Sequence, residues 1–242
     1  CEDMLMTGND SMVVEPELDS KTDSVFYALG IAQAMQQLAD QYFFIGEMRG
    51  ELVTTTEHTD NNLRQLADYS ADASNKYDSA YVYYKVINNC NYYLKHRDKE
   101  LTTGASNVVI NEYAAVEAWR AWAYLQLAIN HNEIPFFTYP ITKHSVADEV
   151  MNGPKMSRDE VLDKLIADIL PYEDPASNPM PSWANSKMFP VIRMLLGEMY
   201  LWRGDYKNAA KFFYTQITGA ASVHTAEENL FTGRAYVDYN NT

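Results

Sequence analysis

The sequence predicts an all-α protein of paired antiparallel helices joined by long irregular loops. Three observations lead there. Apolar residues recur at every third or fourth position through several segments, the period of one helix face. Helix boundaries are spelled out: Ser157-Arg158-Asp159-Glu160 is a capping box, and Gly204 and Gly219 stand where helices stop. The segment from 190 to 218 reads as two helices folded back on each other across Gly204.

Taken in order, residues 1–20 are polar and acidic and read as a solvated tether. Val25, Leu29, Ala32, Met35, Leu38 and Tyr42 predict one helix, opened by Ser20 or Thr22 as N-cap. From 43 to 75 the period is lost among Gly46, Gly50, Thr54, Thr55, Thr56, Asn61, Asn62 and Asp72. A loop of that length is either functional or a surface excursion, and both readings stand. Tyr77, Ala80, Tyr81, Tyr84, Ile87 and Leu94 mark one side of a second helix, and a polar break follows at Thr102–Ser106.

A long helix is predicted over Val108–His131, with Tyr113, Ala114, Glu117, Ala121, Tyr124, Leu125 and Ala128 in register. Its alanines suit close helix packing, and it must stop before Pro135, whose ring and missing N–H forbid continuation. Residues 132–156 read as a loop holding Ile134-Pro135-Phe136-Phe137 and Tyr139-Pro140. The capping box opens a helix with Val161, Leu162, Leu165, Ile166 and Ile169 inward, closed by Pro171 and followed by a loop with Pro175, Pro179 and Pro181. In the final pair, Leu196-Gly197-Glu198-Met199-Tyr200, then Ala209, Ala210 and Phe213, follow the tetratricopeptide pattern. Gly197 and the alanines permit close approach, while Tyr200 and Phe213 fill the space between the helices. No regular repeat period recurs. Beyond Gly219 no capped helix follows, only a polar run with Phe231, Tyr236 and Tyr239. A helical stack needs a polar terminal cap, so the chain is expected to be part of a longer protein.

The 242 residues, 47% hydrophobic and 13% aromatic, are enough to bury a core. Eighteen tyrosines suit helix contacts and binding faces alike, since each ring packs like a hydrophobe and carries a polar tip. The net charge of −14, with no Lys/Arg cluster, excludes nucleic acid as a partner. It also argues against a basic membrane-surface face, and no apolar run reaches the ~18 residues that span a bilayer. Cys90 lies in an apolar helical stretch and is expected buried. Cys1, followed by Glu2-Asp3, reads as the lipidated first residue of a bacterial lipoprotein, or else as an arbitrary boundary.

Catalytic signatures are absent: no phosphate-cradling glycine loop, no G-x-S-x-G and no H-E-x-x-H. His58, His96, His131, His144 and His224 lie far apart without metal-ligand spacing, so no metal or cofactor is expected. His58 and Asp60 read as a solvated pair. Asp159, Glu160 and Asp163 sit at a helix N-terminus, where the helix dipole favours them. The chain is therefore not expected to be an enzyme. A two-carboxylate glycoside hydrolase, whose acids meet only in space, is a distant alternative.

An ordered set of segments resembles the SusD/RagB family of Bacteroidetes outer-membrane proteins. It comprises Cys1 with its acids, Glu47-Met48-Arg49-Gly50-Glu51-Leu52-Val53, and the helix from Tyr84 through Asn88-Asn89-Cys90-Asn91 to Tyr93. It continues with Glu117-Ala118-Trp119-Arg120-Ala121-Trp122-Ala123-Tyr124-Leu125, then Asn132-Glu133-Ile134-Pro135-Phe136, and ends with the 190–218 pair. Glu51 departs from the pattern, which commonly has Asp there. The resemblance implies a 21–242 α-helical domain on a tether lipid-anchored to the outer membrane and facing the cell exterior. It further implies a lid over a SusC-like TonB-dependent transporter, capturing a glycan or, in some members, a peptide. Members are commonly longer, so a C-terminal half contributing to the ligand site is expected to be missing. Within the 49–75 loop, Tyr69 is placed to stack on a sugar, and Asn61, Asn62 and Arg64 to hydrogen-bond its hydroxyls. Ordinary surface polarity is the other reading of these residues. Arg49 with Glu51 is expected to be a structural pair. The alternative function is a lipid-anchored helical scaffold that binds a protein or peptide.

Overall fold

The computed structural model describes residues 21–50, 52–97, 108–174 and 191–219, with backbone alone at 21–26, 108–111 and 219. The tether, Cys1, the Ser20 and Thr22 caps, Glu51, the 102–106 break, Pro175, Pro179, Pro181 and the tail aromatics lie outside the described residues or side chains.

The centre of the bundle is α5 (Val108–His131), with the bounds the sequence predicts. From Ala114 to Ala128 it is buried almost all round, with Trp122 partly covered. Its alanines let neighbours approach closely, and no polar face is needed because none meets water. Against it pack α1 (Lys21–Gln36), α4 (Ala80–His96), α7 (Arg158–Ile169) and α8 (Ile192–Trp202), while α9 (Tyr206–Gly219) packs on α8.

The first predicted helix is two: α1 and α2 (Ala39–Glu47), broken by a turn at Gln37–Leu38. Its buried face is Ala28, Ile31, Ala34 and Leu38, whereas Leu29 and Tyr42 are exposed. The sequence carries two overlapping stripes of helical period, and the one with the smaller side chains allows the closer approach. On α4, Tyr84 and Ile87 are buried as expected, but Tyr81 is 54% exposed. The buried face runs instead through Tyr83, Val86, Cys90, Asn91 and Tyr93. Burial pushes the Cys90 thiol up, which leaves it an inert packing group.

Both segments read as loops contain helices. α3 (Asn61–Ala67) lies within 43–75, and α6 (His144–Asn152) within 132–156. α3 spans seven residues, too few for its period to show, and α6 buries none of its own. The second segment is closed at its base by a two-residue antiparallel ladder, β1 (Glu133–Ile134) against β2 (Met156–Ser157). The capping box is present: Ser157 Oγ accepts from the Glu160 N–H, and the Ser157 N–H donates to Glu160 Oε2 at 3.0 Å. All five predicted apolar residues of α7 are buried.

Backbone polar groups of the 135–141 strip, which belongs to no helix or strand, are satisfied by side chains from α4 and α5. Tyr84 Oη donates to Pro135 O at 2.9 Å, and Tyr124 Oη to Phe137 O at 2.7 Å. Asn88 accepts from the Ile141 N–H and donates to its carbonyl. Asn91 donates to Phe137 O and Tyr139 O. Arg120 fixes that asparagine by donating to its Oδ1 at 3.0 Å, and also reaches Glu117 at 2.6 Å and Asp168 at 3.2 Å.

The α8–α9 hairpin turns at Gly204, whose φ of 77° favours glycine, and Asp205 then caps α9 by accepting from the Asn208 N–H at 3.1 Å. Gly197 lies flat against Phe213: a Cβ there would fall 2.5 Å from the ring. Tyr200 stacks on Phe212, with centroids 5.6 Å apart, so the interhelical space is filled by both phenylalanines. Gly197→Ala is therefore expected to destabilise despite the better helix former. Overpacking costs about 1–3 kcal/mol against a propensity gain of about 1 kcal/mol. A lowered urea midpoint checks this; an unchanged one would mean that Phe213 swings aside.

Candidate ligand-binding site

The segment between α2 and α4 folds around a small core of its own: Ile45, Met48 and Leu66, flanked by Phe44, Val53, Leu63, Ala67 and Tyr77. Having few ladders, it satisfies its carbonyls with side chains. Arg64 donates to three of them, Thr59 O at 3.0 Å, Thr56 O at 2.6 Å and Glu57 O at 2.7 Å. Asn62 Oδ1 accepts from the Lys76 N–H, and Asn75 donates to Asn62 O. Asp60 caps α3 through the Asn62 N–H and meets Lys76 Nζ at 3.0 Å. The Lys76 hydrogen bond, with the Asn62 N–H behind it, holds the Asp60 carboxyl below the usual carboxylate range. Asn61 is exposed in the first turn of α3.

Tyr69 is placed differently. α3 ends in a Schellman motif, with the Tyr69 N–H bonded to Leu66 O and the Ser70 N–H to Gln65 O. Tyr69 occupies the left-handed position that glycine usually fills, at φ 55°. Such a conformation costs a side-chain-bearing residue about 1–2 kcal/mol. The residue is nonetheless 73% exposed, so burial does not offset that cost. Its hydroxyl donates to Arg49 O at 2.6 Å, which fixes the ring at a pocket rim.

That pocket encloses about 190 Å³ between Ile45, Arg49, Leu66, Tyr69, Ala71, Asp78 and Asn130. The Arg49 guanidinium is held by Ile45 O and, at 3.1 Å, by Asn130 Oδ1. Asn130 is itself oriented by donating to Gln126 O. Asp78 stands 3.7 Å from His131. The ends of α2, α3 and α5 and the turn before α4 thus converge on one hollow. It presents a flat aromatic ring, a fixed guanidinium and a carboxylate, the groups that cover a sugar's apolar face and bond its hydroxyls. Of the four residues the sequence singles out, Tyr69 lines this pocket, while Asn62 and Arg64 bond the surrounding segment. Asp78 and Asn130 carry no local signal, since Asn130 lies 81 residues from the arginine it holds. Among the described residues no cluster of His, Cys, Asp or Glu has a metal-binding arrangement, and no helix is long and apolar enough to cross a membrane.

No family model matches the sequence, and no curated protein matches it by sequence. Solved structures do match by shape. Bacteroides fragilis NanU aligns with a TM-score of 0.71 at 17% identity, over 89% of this chain and 45% of its own. A SusD superfamily protein from Bacteroides thetaiotaomicron aligns at 0.63 and 19%, over 80% and 46%. The fold is SusD-like. A SusD-like carbohydrate-binding protein from Bacteroides fragilis aligns at 0.60 and 16%, over 81% and 40%. The chain thus spans less than half the length of each SusD-like structure it matches. At such identities the arrangement of helices is shared while most side chains differ, so shape matches these structures where sequence comparison finds nothing.

Proposed function

We propose that this chain is a non-enzymatic carbohydrate-binding protein of a nutrient-uptake system, and that the Tyr69 pocket holds the sugar. The observation that carries this is Tyr69 itself: a strained tyrosine, fixed and exposed beside Arg49 and Asp78. Strain persists where the surroundings over-determine it, and it concentrates at binding sites. Asn61, exposed on α3, is a further candidate contact, while Asn62 and Arg64 keep the segment in shape. A structure of the same fold is that of a carbohydrate-binding protein, which supports the choice of ligand. The SusD-like fold supports the wider reading of a lipid-anchored protein on the outer membrane facing the exterior, with residues 1–20 as tether and a SusC-like TonB-dependent transporter as recipient of the cargo.

The test is calorimetric titration with neutral and acidic oligosaccharides, followed by detergent extraction of the native complex. Saturable binding at about 1 mM or tighter, unchanged oligosaccharide after incubation, and a co-purifying transporter are expected. Binding of a peptide or a periplasmic protein in place of any sugar would establish the scaffold alternative.

A further inference from the structure

A second hollow, about 290 Å³, opens where α5, α8 and α9 meet, lined by Trp122, Val191, Met194, Leu195, Glu198 and Phe213. Tyr42 stands beside it, edge-on to Trp122 with centroids 5.2 Å apart. Every lining side chain is apolar except one carboxyl. Glu198 has no hydrogen bond or ion pair with any described residue, and burial raises its proton affinity with no opposing cation among those residues. The two arginines nearest it in sequence, Arg193 on α8 and Arg203 just past its end, are committed elsewhere. Arg193 is 2.7 Å from Glu173, and Arg203 is 2.7 Å from Asp163. A half-buried acid with no partner among the described residues costs stability, so its presence among aromatic rings points to a cation brought to the groove.

We infer that this groove docks a polypeptide segment presenting one lysine or arginine between apolar neighbours. The cationic head meets Glu198 and the faces of Trp122 and Tyr42, and the stem lies along Met194 and Leu195. A segment fits better than a free small cation because the apolar surface continues past the hollow. Met194, Glu198 and Leu201 share one face of α8, and Tyr42 and Phe43 are exposed on α2. The inference is independent of the carbohydrate reading.

The experiment titrates acetyl-Leu-Lys-Leu-amide, with acetyl-Leu-Gln-Leu-amide as neutral control, into the protein. It follows the Trp122 indole resonance, assigned with Trp122→Phe. The lysine peptide should shift that resonance saturably and bind about tenfold more tightly than the control. Glu198→Gln should abolish the difference, at a urea midpoint no lower than wild type, and Tyr69→Ala should leave it intact. Equal binding of the two peptides to the wild type would overturn the proposal. So would an unmoved Trp122 signal, or n-butylammonium binding as tightly as the lysine peptide.

Discussion

Tyr69→Ala should lower carbohydrate affinity about 10- to 100-fold while shifting the unfolding midpoint little. Covering the ring with a sugar face is worth about 1.5–3 kcal/mol, which converts to that range. The folded state loses little, because the residue is mostly exposed and contributes one hydroxyl hydrogen bond, about 1 kcal/mol. Tyr69→Gly separates the two roles further. It removes the ring but relieves the left-handed backbone, so it should be at least as stable as the alanine variant while binding equally poorly. Tyr69→Phe keeps the stacking face and releases the tether to Arg49 O, so it should bind between the two extremes. Calorimetry and urea unfolding on the four proteins check all of this. Wild-type affinity in the alanine variant would remove the pocket from consideration.

Arg120→Ala should cost about 3–5 kcal/mol, the range for removing one partner of a buried ion pair. The Arg120 side chain is 7% exposed and joins Glu117, Asp168 and Asn91. Truncation takes the cation from a buried carboxylate and a donor from a fully buried asparagine, the one that holds Phe137 O and Tyr139 O. The expected readout is a large fall in urea midpoint, with loss of the near-ultraviolet signal of the rings along 135–141. Arg120→Met combined with Glu117→Gln, which replaces the pair by uncharged groups of similar size, should recover much of the loss. A cost below about 1 kcal/mol for Arg120→Ala would show that the network is incidental to the packing.

What the sequence made legible follows from the range of each signal. α5 was readable to both ends because its period is unbroken and Pro135 forbids extension. The Ser157–Glu160 cap and the Gly197 contact were readable because a single residue type satisfies each geometry. α3 and α6 were not, being too short or too exposed to imprint a period, and the buried face of α1 was hidden by a competing stripe. At the candidate site, Tyr69 stood out as an aromatic in a polar stretch. Nothing local announced that it takes a position usual for glycine, or that Asp78 and Asn130 meet it across the fold. Asn62 and Arg64 illustrate the opposite difficulty: a polar side chain in an irregular segment suits a ligand and the segment's own backbone equally well, and only the structure shows which backbone groups it reaches.

The pocket straddles two cores of unequal size. Asn130 belongs to the main bundle, whereas Ile45, Leu66 and Tyr69 ride on the satellite cluster of the α2–α3 segment. With so few buried side chains, that segment opens at lower free energy than the bundle. A guest held by both sides acts as a clasp between them, and mass action then makes the satellite's local stability a function of guest concentration. Occupancy would be written into the chain as order, giving any partner that touches this segment a means of telling a loaded molecule from an empty one.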